Sequence, residues 1–206
     1  MSFGIEQMRA FLNPLRGKIT TFFVTDRATN LSLGRLILSS VAVDGDSTAI
    51  MDTDAFYASN SARLAENFSQ QNLERFRLYV PETGASSEDV VMMLFKQNKS
   101  CSVSIIDNLN TLFHLLSSDN PNSAGRKLYF LTAMESFLGH MNNTTVLITV
   151  YEREKPIQEK RLKSFSDLGE ISIHVSRSDG QLSLKCERGA AWPGNTLSFP
   201  LTQSSG

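Results

Sequence analysis

Residues Cys101 to Leu116 read CSVSIIDNLNTLFHLL, and this stretch decides the fold. Small and β-branched residues run from Val103 to Ile106 and end in an acid, Asp107. A polar turn and a second apolar run follow. A short apolar run of this kind reads as a strand buried on both faces, as in a parallel sheet. Ligands of open α/β sheets sit beyond the carboxyl ends of such strands. An acid there is where a nucleotide-binding protein places a carboxylate directed at Mg²⁺. The plainer reading is a strand that ends in a solvated, turn-forming aspartate.

The 206 residues suit one domain, 1–206, with a short helical lead-in at 1–16 and a frayed end at 203–206. Hydrophobic residues make up 41% and charged residues 20%, which predicts a globular chain. A net charge of -1 gives no overall pull toward nucleic acid or anionic lipid, so such binding needs a local patch. The two cysteines, Cys101 and Cys186, make neither a disulfide framework nor a zinc pattern. The first residues lack a signal-peptide core, and no apolar run approaches the ~20 residues that span a bilayer. The expectation is a soluble, cytoplasmic protein without membrane partners, or a nuclear one in a eukaryote.

From the N-terminus, a short helix over 5–12 precedes Pro14. ITTFFV, Ile19 to Val24, is the first strand. Leu31, Leu33, Leu36, Ile37, Leu38 and Val41 predict a helix over 30–43, capped by Asn30 or Thr29. TAIMD at 48–52 is a second strand that also ends in an acid. A helix over 60–69 follows. FRLYV at 76–80 is the third strand. A helix capped by Ser86 or Ser87 then runs to about Gln97, with Val90, Val91, Leu94 and Phe95 on one face. The fourth strand is 101–107. A helix over 124–141 carries Leu128, Leu131, Met134, Phe137 and Leu138 as its apolar face. TTVLITVY at 144–151 is the fifth strand. This alternation predicts a mainly parallel sheet with helices on both faces. Short strands at 171–175, 182–186 and 197–201 follow, the first two joined by an Asp-Gly turn. They predict an antiparallel extension on one side of the sheet.

This order resembles the core of the RecA superfamily: RecA, RadA recombinases and their paralogues, KaiC-like proteins and the RecA-like subunits of Elongator. GKITTFFV at 17–24 resembles the strand before a RadA-type phosphate loop. AIMDTDAFYA at 49–58 resembles that family's second strand, and SVSIIDNLNTLF at 102–113 its Walker B strand. TTVLITVYE at 144–152 resembles the next strand, after which a polar sensor stands, here Glu152. ISIHV and LSLKCERG resemble the C-terminal hairpin. The resemblance covers roughly residues 14 to 201. It implies a RecA-like fold, with Asp107 at the Walker B position and Asp52 or Asp54 near the family's catalytic acid.

The phosphate loop is where the chain departs. The family needs GxxxxGK[ST], whose glycines admit the phosphates, whose lysine neutralises them and whose hydroxyl ligates Mg²⁺. The corresponding stretch is Val24-Thr25-Asp26-Arg27-Ala28-Thr29-Asn30-Leu31. Asn30 takes the lysine position, Leu31 the hydroxyl position, and Asp26 adds a negative charge. The expectation is a non-catalytic pseudo-ATPase with no catalytic residues, no cofactor and no metal. Asp52, Asp54 and Asp107 are then vestigial carboxylates, solvated or hydrogen-bonded.

RadA-like loops after the fourth and fifth strands face DNA. Here the loop after the fifth strand carries Arg153, Lys155, Lys160, Arg161 and Lys163 against Glu152, Glu154 and Glu159. Phe165 offers a stacking face. These five cations are the candidate nucleic-acid contacts, weighed against a solvated charged connection. The partners expected are single- or double-stranded DNA, a RecA- or RadA-type recombinase or another RecA-fold protein, and further copies of the chain. The three histidines lack metal-ligand spacing and read as structural. The function expected is an accessory in DNA recombination and repair. The rivals are a scaffold subunit of a RecA-like ring or heteromer, and an ATPase with an unusual phosphate loop.

Overall fold

The computed structural model describes residues 3–66, 68–82, 85–98, 101–117, 123–152, 169–189 and 196–201. Eight strands form one sheet in the order β3-β2-β4-β5-β1-β6-β7-β8. They are β1 (Ile19–Val24), β2 (Thr48–Asp52), β3 (Phe76–Tyr79), β4 (Val103–Asp107), β5 (Thr145–Tyr151), β6 (Ile171–Ser178), β7 (Gln181–Arg188) and β8 (Thr196–Pro200). The first six lie parallel. The last two add antiparallel, as the short spacing of the C-terminal strands predicts. Asp179 and Gly180 both take positive φ, 47° and 71°, as an Asp-Gly hairpin turn requires.

Strands β1, β2, β4 and β5 are buried along their whole length. Alternate residues feed two cores. Phe22, Leu147 and Ile105 join the core under α1 (Phe3–Leu12) and α2 (Arg27–Asp44). Phe23, Ile148 and Ile106 join the core under α6 (Ser87–Asn98), α7 (Leu109–Ser117) and α8 (Ala124–Asn142). A period of two therefore serves helices on both faces.

Several local expectations need correction. Helix α2 begins at Arg27, one turn before the predicted start, and Asp26 caps it by accepting from the Thr29 N–H at 2.7 Å. Thr29 and Asn30 are thus buried inside the helix. The second apolar run after Asp107 is helix α7. The single helix predicted over 60–69 is instead α3 (Phe56–Ser59) and α4 (Ser61–Leu64), meeting at Asn60, then α5 (Gln70–Leu73) capped by Ser69. Phe137 is exposed, not part of the buried face of α8.

Ser86 and Asp89 form a reciprocal cap on α6: Ser86 N–H donates to Asp89 Oδ2 at 3.0 Å, and Asp89 N–H donates to Ser86 Oγ at 3.2 Å. No helix among the described residues is long and apolar enough to cross a membrane. Cys101 stands half-buried before β4, and burial pushes its thiol up to about 11, which keeps it a neutral thiol.

The Asp26 cap yields a direct test. Asp26→Ala removes the acceptor from Thr29 and should cost about 1 kcal/mol in chemical denaturation. An unchanged urea midpoint would mean that water replaces the carboxylate at no cost.

Candidate functional site

The site lies beyond the carboxyl ends of β1, β2, β4 and β5. Parallel pairing puts Asp52, the last residue of β2, beside Asp107, the last of β4. A turn after β2 brings Asp54 back toward them. In that turn Ala55 takes a left-handed φ of 58°, and the Ala58 N–H then donates to Asp52 Oδ2 at 2.8 Å. One oxygen from each of Asp52, Asp54 and Asp107 lies within 4.8 Å of the others.

Neighbouring side chains fix Asp107. The Asn30 amide Nδ2 donates to Asp107 Oδ1 at 3.0 Å and to the Tyr151 hydroxyl at 2.8 Å. The Thr149 hydroxyl donates to the same Asp107 oxygen. Thr53 ties β2 to β4: its N–H donates to Asp107 O at 2.6 Å, and its hydroxyl accepts from the Asn108 N–H at 2.8 Å. The Asp107–Asn108 peptide is cis. Asn110 clamps α7 to the end of β5, accepting from Tyr151 N–H at 3.0 Å and donating to Tyr151 O at 3.4 Å. Arg27 stands 3.4 Å from Asp54 Oδ2 at the open side.

Of the two forms expected for these carboxylates, solvated or hydrogen-bonded, Asp107 and Asp52 take the hydrogen-bonded one. Asp52 and Asp107 are fully buried, and Asp54 is half-buried. Burial pushes the Asp107 carboxyl up to about 7, against the opposing pull of the bonds from Thr149 and Asn30. Burial raises Asp52 as well. Tyr57, fully enclosed near these acids, is raised well above the ordinary tyrosine value by burial first and by Asp107 second. Asp52 Oδ1, Asp54 Oδ1 and Asp107 Oδ2 have no hydrogen-bond partner.

An all-oxygen set of three carboxylates suits a hard cation such as Mg²⁺ or Ca²⁺. A nucleotide fits less well. Only Thr25 and Asp26 separate β1 from α2, and the Asp26 carboxylate occupies the helix N-terminus where a phosphate would bind. Hydrogen bonds from the Thr29 N–H first, then from the Thr29 and Thr25 side chains, hold Asp26 below the usual carboxylate range, so it stays charged. Leu31 packs against the core.

Sequence reading placed Asp52, Asp54 and Asp107 here and singled out Asn30. It missed Thr149, Tyr151, Thr53 and Asn110. Thr149 and Tyr151 are polar residues at the carboxyl end of a mainly apolar central strand, which is a readable signal. Glu152 follows β5 as expected and pairs with His174 Nδ1, while Glu187 reaches His174 Nε2 at 3.0 Å. Arg153, Lys155, Lys160, Arg161 and Lys163, with Phe165, lie outside the described residues.

The sheet order and the antiparallel extension give a RecA-like α/β fold. A solved structure, the crystal structure of the RadB recombinase, superposes with a TM-score of 0.64 over 91% of this chain and 88% of that one. The two are 12% identical, so the likeness is one of fold. No protein-family model matches the chain. No curated protein sequence matches it either.

Proposed function

We propose that the protein is a non-catalytic RecA-fold accessory that works by binding, to DNA or to a RecA-type recombinase, in recombination or repair. The observation that carries this reading is the junction of β1 and α2. A RecA-like sheet ordinarily meets its nucleotide there through a glycine-rich loop. In this chain a two-residue turn and a charged cap fill the place. Without the lysine, the hydroxyl and the glycines, most of the charge stabilisation of phosphoryl transfer is gone. The acids that remain form an all-oxygen set competent for a divalent cation.

Two measurements test this. The first is thermal unfolding with Mg²⁺ and with MgATP. The reading expects equal midpoints, and an additional shift with MgATP would favour an ATPase with an unusual phosphate loop. The second is fluorescence anisotropy of labelled single-stranded and duplex DNA over a salt series without nucleotide. Affinity should fall steeply with salt, and should be lost when Lys160, Arg161 and Lys163 become alanine. A protein that binds neither DNA nor a recombinase at low salt refutes the accessory role. The scaffold reading, in which RecA-like cores assemble without a DNA role, is favoured by the exposed Tyr129, Phe130, Phe137 and Met141 on α8.

A further inference from the structure

Helix α8 has two apolar faces. Leu128 and Leu131 are buried in the core. The opposite side carries Tyr129, Phe130, Phe137 and Met141, exposed by 66%, 57%, 57% and 68%. Ala133 and His140 are exposed on the same side. Phe130, Ala133, Phe137 and His140 recur at alternating spacings of three and four, the pattern of a helix–helix seam. Single exposed hydrophobics are ordinary, but a contiguous stripe of three aromatics and a methionine is not.

We propose that this face is a two-fold interface with a second copy of the chain, the two α8 helices packing antiparallel. The stripe is complementary to itself in that arrangement. An axis midway between Ala133 and Phe137 sets each large Phe137 ring against the partner's small Ala133. It also sets Met141 against Tyr129, a sulfur–aromatic contact, and Phe130 against His140. His140 is already oriented, because its Nε2 lies 2.8 Å from Glu170 Oε1. At each end, Arg126 of one copy meets the final turn of the other, where the helix carbonyls and Glu170 carry negative charge.

The area agrees as well. Four such side chains, each more than half exposed, present on the order of 500 Å² of apolar surface. A homodimer interface of about 800 Å² per partner, roughly 65% apolar, requires about that much. The proposal is independent of the DNA and nucleotide readings, since α8 supplies none of the side chains at the acid site.

The test is the mass of the full chain by light scattering and sedimentation between roughly 1 and 100 µM. The expected species is twice the 22.9 kDa monomer. Phe137→Glu should weaken self-association at least about tenfold. At a concentration where both chains are monomeric its unfolding midpoint should barely move, because the residue is then exposed. An equimolar mixture of Tyr129→Cys and Met141→Cys chains should cross-link into a mixed dimer, and neither variant should cross-link efficiently alone. A wild-type monomer at every concentration overturns the proposal and leaves the stripe to a different protein. So does a dimer that survives Phe137→Glu. Cross-linking of like with like overturns the antiparallel arrangement.

Discussion

Replacing Asp107 by asparagine should stabilise the protein at pH 8 by roughly 2–4 kcal/mol and flatten its pH dependence. The carboxyl titrates near 7 in the folded state against an ordinary 3.8, a gap of about three pH units. Each unit is worth about 1.4 kcal/mol, so about 4 kcal/mol is the ceiling. The folded pKa is raised, so the folded protein keeps a proton that the unfolded chain releases. Stability therefore falls as the pH rises from about 4 through about 7, then levels off. Asparagine has no proton to lose. Its carbonyl still accepts from Asn30 and Thr149, and its amide takes the place of Asp107 Oδ2, which has no partner. Urea unfolding of both proteins at intervals from pH 4.5 to 8.5 decides the matter. Curves that converge at acid pH, separate as the pH rises toward about 7 and run parallel above it are expected, whereas curves parallel over the whole range would show that Asp107 does not titrate in this window.

That a single isosteric change should stabilise is informative about the site. Buried, mutually repelling carboxylates are what a folded chain sheds unless something holds them, and they concentrate where a ligand supplies the missing charge. Asp107 and Asp52 end adjacent strands, and both lie in the core.

The strands were legible because their burial on both faces leaves continuous β-branched and aromatic runs. ITTFFV and TVLITVY have no other good explanation. The burial of the acids was not legible. A strand-ending aspartate in solvent and one in the core have the same local sequence, and only the packing of α2 and β5 around Asp107 separates them. The start of α2 was misplaced for a similar reason. Asn30 has cap chemistry, but Asp26 lies nearer to the strand end and takes the role, which frees Asn30 to face inward.

Phe137 shows the limit of counting apolar residues. It stands nine positions beyond Leu128, and at about 100° per residue that is half a turn away. The five residues taken as one face span more than one side of the helix. The basic loop 153–163 was read from its charge and from its position after the fifth strand, where RadA-like loops face DNA.

The converse change, Asn30→Asp, should destabilise the protein at pH 8 by roughly 3–5 kcal/mol. It keeps the shape of the side chain but removes the Nδ2 donor that serves Asp107 at 3.0 Å and Tyr151 at 2.8 Å. Two buried carboxyls then meet with one hydrogen bond between them, which needs a shared proton. Acidification supplies it, so much of the loss should be recovered near pH 5, whereas a packing defect would persist at every pH. Combining Asn30→Asp with Asp107→Asn restores one donor and one acceptor with the polarity reversed. The double variant should therefore be more stable at pH 8 than the sum of the single effects predicts, by about 2 kcal/mol or more. Additive effects would separate Asn30 from Asp107 energetically, and would mean that the contact between α2 and the end of β4 does not set the charge state of this site.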